Sequence, residues 1–247
     1  MKPQQLLKGC LFAGVLALVA GFETRAGAQT ILVDFGQNLG TSVGTITPSP
    51  SSGNYWNNFS TGTTIALIDT TNAATGGNLT FTTGYAFNSS AMGVNTGDAS
   101  LGNLNVSTAI MDAVFTTDAV TGNTFKLTNL NPAKTYTFKL FGSRSAIDPI
   151  RVTTYTATGG NSLSGNLTTS GTGIGTGSVN YNTGNFTTFV GITPDVNNEI
   201  FINYKVNSGG FAYLNALQID VVPEPSTWAL LAFSLTIVMV FRRRRRA

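Results

Sequence analysis

Residues 199–222 read EIFINYKVNSGGFAYLNALQIDVV. Ile200, Ile202, Tyr204 and Val206 alternate with Glu199, Phe201, Asn203 and Lys205. Tyr213, Asn215, Leu217, Ile219 and Val221 then alternate with Leu214, Ala216, Gln218 and Asp220. A period of two places one set of side chains on one face of an extended chain. With that face apolar, the pattern is a half-buried antiparallel strand.

The same alternation recurs upstream. Ile31, Val33 and Phe35 alternate with Leu32 and Asp34; Phe125 and Leu127 with Thr124, Lys126 and Thr128; Tyr136, Phe138 and Leu140 with Thr135, Thr137 and Lys139. Further candidate strands are 64–69, 79–82, 109–115, 152–158 and 186–190. Residues 29–222 are rich in Gly, Thr, Asn and Ser and poor in Glu, Lys and Arg, which favours strands and turns over helices. Eight to ten strands in one segment of ordinary domain size predict an all-β fold, an antiparallel β-sandwich with its own core. Residues 42–54 are expected to be a loop. Residues 159–184, mostly Gly, Ser, Thr and Asn, are expected to be a flexible insertion or short hairpins outside the core.

The last strand runs into Pro223-Glu224-Pro225. A stretch without charge follows at residues 226–241, and then Arg242, Arg243, Arg244, Arg245 and Arg246. A 16-residue helix spans roughly 24 Å at ~1.5 Å per residue, a little under a ~30 Å hydrocarbon core. Arginine snorkelling and local lipid thinning cover the difference. Trp228 suits an interface, and the positive-inside rule holds the arginines in the cytoplasm. The expectation is a single C-terminal transmembrane helix with the body outside the inner membrane. The ordered triple resembles the PEP-CTERM sorting signal of Gram-negative bacteria. The resemblance implies processing by exosortase, a membrane cysteine enzyme, release or transfer to the cell surface, and a role in exopolysaccharide or biofilm.

The other end agrees. Lys2 and Lys8 precede an apolar run at 9–21, and Ala26-Gly27-Ala28 precedes Gln29, the order of a secretory signal peptide with its signal helix. The expected organisation is therefore signal peptide 1–28, sandwich 29–222 and sorting signal 223–247. Cys10 is the only cysteine, and Lys8 immediately upstream argues against a lipoprotein site. The body after residue 28 then has no cysteine, so no disulfide supports its core.

The net charge of +3 belongs to the ends. Three of the 14 Lys and Arg lie in 1–28 and five in 242–246, leaving six for 29–222. Nine of the 11 acids lie there, so the body carries −3. That balance gives no support for nucleic-acid binding.

A second resemblance spans the body: Val33-Asp34-Phe35-Gly36, Tyr55-Trp56-Asn57-Asn58, the segments 127–144 and 154–160, and 213–219. Their order is similar to galactose-binding-domain-like jelly rolls, folds that include carbohydrate-binding modules. The segment 130–140 alone also resembles a corner of a fibronectin type III domain. The jelly-roll resemblance makes Tyr55, Trp56, Asn57, Arg144 and Asp148 candidate sugar-binding residues, an aromatic platform with side-chain hydrogen-bonding groups. Two plainer expectations stand beside it. The body's lone tryptophan is favoured as core, and Arg144 and Asp148 are near enough in sequence to pair with each other.

The chain has no histidine. That excludes Ser-His-Asp and Cys-His catalysis and histidine metal sites. No phosphate loop or dinucleotide fingerprint is present. Paired carboxylates of the glycosidase kind remain the one catalytic option. The expectation is a non-enzyme without cofactors. Asp195, Asn197 and Glu199 are a calcium candidate by their alternating oxygens, with a plain hairpin turn as the favoured reading. Six Asn-x-Ser/Thr sequons, at Asn58, Asn78, Asn88, Asn105, Asn166 and Asn185, follow from an Asn- and Thr-rich composition.

The function expected from the sequence is an exported, exosortase-processed surface or matrix protein. Its partners would be exosortase, the export machinery and exopolysaccharide; it would begin as an inner-membrane precursor and finish at the cell surface or outside. The alternative is a carbohydrate-binding module with a specific polysaccharide ligand, and less favoured is a carboxylate glycosidase. Intact-mass spectrometry of the exported protein should find Gln29 at the N-terminus and a chain cut near Pro223-Glu224-Pro225. A surface protein still carrying residues 228–246 would contradict this.

Overall fold

The computed structural model describes residues 29–36, 46–59, 64–83, 86–88, 94 and 97–223. The signal peptide expected at 1–28 and the transmembrane helix and arginines at 228–246 lie outside the described residues, as do Glu224 and Pro225. Among the described residues no helix is long and apolar enough to cross a membrane.

Among the described residues there are fourteen strands: β1 Gln29–Asp34, β2 Asn57–Asn58, β3 Ile65–Ile68, β4 Ala74–Phe81, β5 Ala86–Asn88, β6 Ala113–Thr116, β7 Asn123–Thr128, β8 Lys134–Phe141, β9 Arg151–Thr158, β10 Ser162–Ser170, β11 Thr187–Ile192, β12 Ile200–Ser208, β13 Ala212–Leu214 and β14 Ala216–Pro223. One sheet runs β11-β8-β14-β1-β2 and a second runs β10-β9-β12-β7-β4-β3. A short third sheet runs β13-β6-β5. The pairings are antiparallel apart from the two-residue contact of β1 with β2. The all-β sandwich read from the alternation is therefore the observed architecture.

The main core lies between the two large sheets. From the first come Ile31, Val33, Phe138, Leu140, Leu217 and Ile219; from the second come Leu79, Phe125, Leu127, Ala157, Ile202 and Tyr204. The register explains why these meet. Ile219 sits between Ile31 and Phe138, and Ile202 sits between Phe125 and Ala157, so each sheet offers an apolar row to the other. Phe35, Phe59, Phe81 and Phe125 close one part of this core with tilted and edge-on rings, their centroids 4.9–6.3 Å apart. Such packing adds to the area the rings bury.

Some sequence expectations change. The candidate strand at 109–115 is a helix followed by a strand: α1 spans Ser107–Met111 and β6 begins at Ala113. Val106, Ala109 and Ile110 recur at i, i+3 and i+4, and all three are buried. The stretch expected to lie outside the core at 159–184 contains β10, which pairs with β9 along its length and buries Leu167, Thr169 and Ser170. Its polar face is held to β9 by side-chain hydrogen bonds, Thr154 to Asn166 at 2.7 Å and Thr156 with Ser164 at 3.0 Å.

The first sheet is also covered on its outer side. Leu32, Trp56, Leu101, Leu104, Ala109, Ile110, Phe141, Tyr213 and Ala216 form a second apolar cluster, built largely by the segment 94–113. Residues 212–218 are therefore buried on both faces, where the alternation predicts one.

The chain changes sheets at Asn215. Before it, β13 pairs with β6; after it, β14 pairs with β8 and β1. The break would leave backbone groups unpaired in the interior, and Asn215 satisfies them. Its N–H donates to Phe141 O at 2.9 Å and its carbonyl accepts Phe35 N–H at 2.9 Å. Its side-chain oxygen accepts Ser143 N–H at 2.7 Å, and its Nδ2 donates to Ile110 O at 2.9 Å. Replacing Asn215 by Leu strands two buried backbone groups at roughly 1–3 kcal/mol each. Thermal unfolding of N215L should fall by roughly 5–20 °C; an unchanged midpoint would contradict the role assigned to this side chain.

Candidate functional site

The nine acids of the body divide by what they touch. Asp69 caps its own turn, its Oδ1 accepting from the Thr71 amide and hydroxyl and from the Ala73 amide. Asp118 does the same for Val120 and Thr121. Asp98 accepts the hydroxyls of Thr176 and Thr183, both at 2.8 Å. Asp220 accepts from Thr30 and Gln218. Asp195 Oδ1 accepts the amides of Asn197 and Glu199, both at 2.9 Å, and Asn198 takes a positive φ of 61°. Glu199 meets Lys126 at 2.8 Å. The calcium candidate thus has the hydrogen bonding of the hairpin turn, and its glutamate is turned to a lysine. Among the described residues no three Asp, Glu, His or Cys side chains group as metal ligands would.

Asp34 and Asp112 are fully buried. They belong to the interior and not to a cleft. Asp34 Oδ2 accepts the Thr47 amide at 2.9 Å, and Asn58, paired with Asp34 across β1 and β2, donates to Thr47 O at 2.9 Å. Among the described residues Asp34 Oδ1 and Asn58 Oδ1 are buried without a donor. The Asp112 carboxylate fills the place beside Gly36, where a Cβ would stand 2.5 Å from Oδ2. The glycine of Val33-Asp34-Phe35-Gly36 therefore leaves room for a buried acid. Burial pushes the Asp34 carboxyl up to about 7, against the lowering effect of the Thr47 hydrogen bonds.

Of the residues expected to bind sugar, two are interior. Trp56 is 2% exposed in the second cluster, so its ring offers a ligand no platform. Asn57 is buried and ties β1 to β3: its Nδ2 donates to Leu32 O and Ile68 O, and its Oδ1 accepts the Ile68 amide. Tyr55 is half-buried beside them. Asp148 is exposed, and it forms no ion pair with Arg144; among the described residues Lys126–Glu199 is the pair within 4.0 Å.

Arg144 is different. It follows β8, and its amide donates to Thr169 O at 3.0 Å. The hydroxyl of the same buried Thr169 donates to Arg151 O at 3.3 Å, so one residue of β10 holds the backbones of both arginines. Tyr213 is brought to them from β13. Its amide donates to the Thr153 hydroxyl at 3.0 Å, and its carbonyl accepts the Tyr155 hydroxyl. Gly142 makes this approach possible, because a Cβ there would stand 2.5 Å from Tyr213 O.

The result is a layer of guanidinium groups on aromatic rings. The rings of Phe211 and Tyr213 are nearly parallel, with centroids 6.1 Å apart and 14° between planes, and Phe115 lies 6.1 Å from Phe211. The Arg151 guanidinium lies 4.7 Å from the Phe211 centroid and 5.7 Å from that of Tyr213. Arg144 lies 6.0 Å from Tyr213. Arg151 Nη1 also donates to the Tyr213 hydroxyl. Burial raises the Tyr213 phenol above its ordinary range, opposed by the two arginines. Arg144, Arg151, Phe115 and Phe211 are each part-exposed, and Ile147 and Ile150 in the adjoining loop are 66% and 56% exposed. Sequence reading found Arg144 and missed Arg151, Phe115, Phe211 and Tyr213. One signal was available: Arg144 and Arg151 are the only arginines in 29–222. A cavity of about 150 Å³ elsewhere is lined by core residues such as Ile31, Leu127 and Ile219 together with the polar Gln29, Asn129 and Lys134.

No protein-family model matches the chain. No curated protein matches it either. Among solved structures it is similar to TmCBM61 in complex with β-1,4-galactotriose, at 10% identity and a TM-score of 0.30 over 59% of this chain and 88% of that one. It is similar to the CBM22-1 xylan-binding domain from Paenibacillus barcinonensis Xyn10C, at 12% identity and a TM-score of 0.30 over 59% and 86%. It is similar to the protein of unknown function SO2946 from Shewanella oneidensis MR-1, at 9% identity and a TM-score of 0.29 over 92% and 96%. Scores of this size do not establish a common fold, and the architecture above rests on the chain's own strand register.

The raised Asp34 pKa has a signed consequence. The native state holds a proton between about pH 4 and 7 that the unfolded chain releases, so stability falls as pH rises through that window. The effect is on the order of a few kcal/mol. Thermal melts of wild type and Asp34→Asn should therefore diverge from pH 4 to pH 8, with the variant losing less stability. Parallel pH profiles would contradict a buried, proton-holding Asp34.

Proposed function

We propose that this chain is an exported, non-catalytic cell-surface or matrix protein whose β-sandwich binds carbohydrate at the Arg144–Arg151–Phe211–Tyr213 surface. The observation that carries the binding part is the pair of part-exposed arginines whose guanidiniums are seated on aromatic rings with no carboxylate partner among the described residues. A purely structural arginine usually meets an acid, because a charge half removed from water is costly without one. Aromatic rings combined with directed hydrogen-bond donors are the usual furniture of a glycan site.

Export and processing rest on the sequence features at both ends. The signal peptide, the Pro223-Glu224-Pro225 motif, the apolar run and the arginine cluster support exosortase handling and a place in the exopolysaccharide layer. The jelly-roll likeness of the segments around Asp34, Trp56 and Arg144 supports a galactose-binding-domain-like sandwich. A non-catalytic body fits the absence of histidine and the use made of the acids: seven serve turns, hydroxyls, an amide or a lysine, or stand exposed, and two are interior.

A glycan array probed with the purified full chain in detergent tests the binding. Arg151→Ala and Arg144→Ala should each lower the signal at least several-fold, while Tyr55→Ala leaves it unchanged. Binding that survives both arginine substitutions would place the ligand elsewhere and contradict this site.

A further inference from the structure

The geometry points to an acidic glycan, one bearing carboxylate or sulfate groups, as the ligand of the Arg144–Arg151 surface. This rests on the glycan-binding reading above and goes further by naming the ligand's chemistry. A neutral sugar is usually gripped by laying its apolar face on a bare aromatic ring. Here the rings of Phe211 and Tyr213 already carry guanidiniums, at 4.7 and 5.7 Å from Arg151 and 6.0 Å from Arg144. The one tryptophan among the described residues is interior. What remains on offer is charge.

That charge is only partly satisfied. Among the described residues Arg144 Nε and Nη1 and Arg151 Nε are buried without an acceptor, which leaves a ligand the Nη2 end of each group. Within the site their partners are ring faces and, for Arg151, a phenol. The rings fix the two planar groups in orientation, and Thr169 fixes their backbones. A guanidinium held in this way loses little freedom on pairing, and the Nη2 of each arginine, neither buried nor bonded among the described residues, can give a charge-assisted hydrogen bond to a carboxylate or a sulfate. The body around it carries −3, so the positive feature is local to this surface and is no part of a generally basic protein. The acid nearest in sequence, Asp148, stands exposed in the loop between the two arginines and forms an ion pair with neither.

The test compares ligands that differ in charge alone. Binding of the purified full chain in detergent is measured by calorimetry with polygalacturonate, its fully methyl-esterified form, dextran sulfate and dextran. The inference expects at least tenfold tighter binding to the charged member of a pair. It expects Arg144→Gln and Arg151→Gln to remove that preference and Arg151→Lys to keep part of it. A preference for polygalacturonate alone assigns carboxylates, and one for dextran sulfate alone assigns sulfate esters. Equal binding of charged and neutral members, still lost in the arginine variants, overturns the acidic ligand and leaves the glycan site standing. Absence of binding to these four and to every neutral glycan on the array overturns both. Equal, arginine-dependent binding of single-stranded DNA would overturn the glycan assignment in favour of a general polyanion site. Circular dichroism melts of each variant separate lost binding from lost folding. If Arg151→Gln unfolds, the Arg144→Gln and Arg151→Lys results decide the question.

Discussion

Everything at one end of this molecule depends on how a single strand changes partners. The run from Ala212 to Pro223 cannot stay in one ladder, because β13 belongs to the small sheet and β14 to the centre of a large one. Asn215 makes the crossing tolerable. It is fully buried, yet each of its four hydrogen-bonding groups used here has a partner, drawn from Phe35, Phe141, Ser143 and Ile110. These partners come from the end of β1, the end of β8 and helix α1. One residue, through its backbone and its side chain, thus ties three segments distant in sequence, in an interior where an unmet polar group is expensive.

The site follows from that junction. Two residues before Asn215, Tyr213 is fixed against Thr153 and Tyr155 of β9. One residue after Gly142, Ser143 is fixed by Asn215, and Arg144 comes next. Arg151 opens β9 itself. The two guanidiniums and their aromatic floor are therefore held by the rigid ends of β8, β9 and β13, although one of the arginines lies in a loop. A ligand site placed on such supports keeps its geometry without help from the ligand.

Much of the sandwich was legible because its strands carry a strict period of two. Ile200, Ile202, Tyr204 and Val206 do point to the core between the sheets, and so do Phe125 with Leu127 and Phe138 with Leu140. Helix α1 was hidden because five residues give too short a window for a helical period to outweigh a strand-like one. Strand β10 was hidden by composition: Ser, Thr, Gly and Asn look like a loop, and only pairing with β9 reveals that their hydroxyls and amides bond across strands. The full burial of 212–218 needed knowledge of what covers the outer face. At the site, Arg144 could be found from its place after a strand. Phe211 and Tyr213 could not, since they reach it only through the sheet change more than sixty residues later. Trp56 is buried, as the favoured reading of a lone core tryptophan expected, and the sugar-platform alternative falls with it.

On the function proposed, the junction at Asn215 presents two guanidiniums, stacked on Phe211 and Tyr213, to a ligand. The most direct measurement is nuclear magnetic resonance of the arginine side-chain Nε–H groups while an acidic oligosaccharide is added. The Nε–H signals of Arg144 and Arg151 should shift together, with the ring protons of Phe211 and Tyr213, and at one common affinity. Shifts confined to another face, with these signals unmoved at saturation, would contradict it.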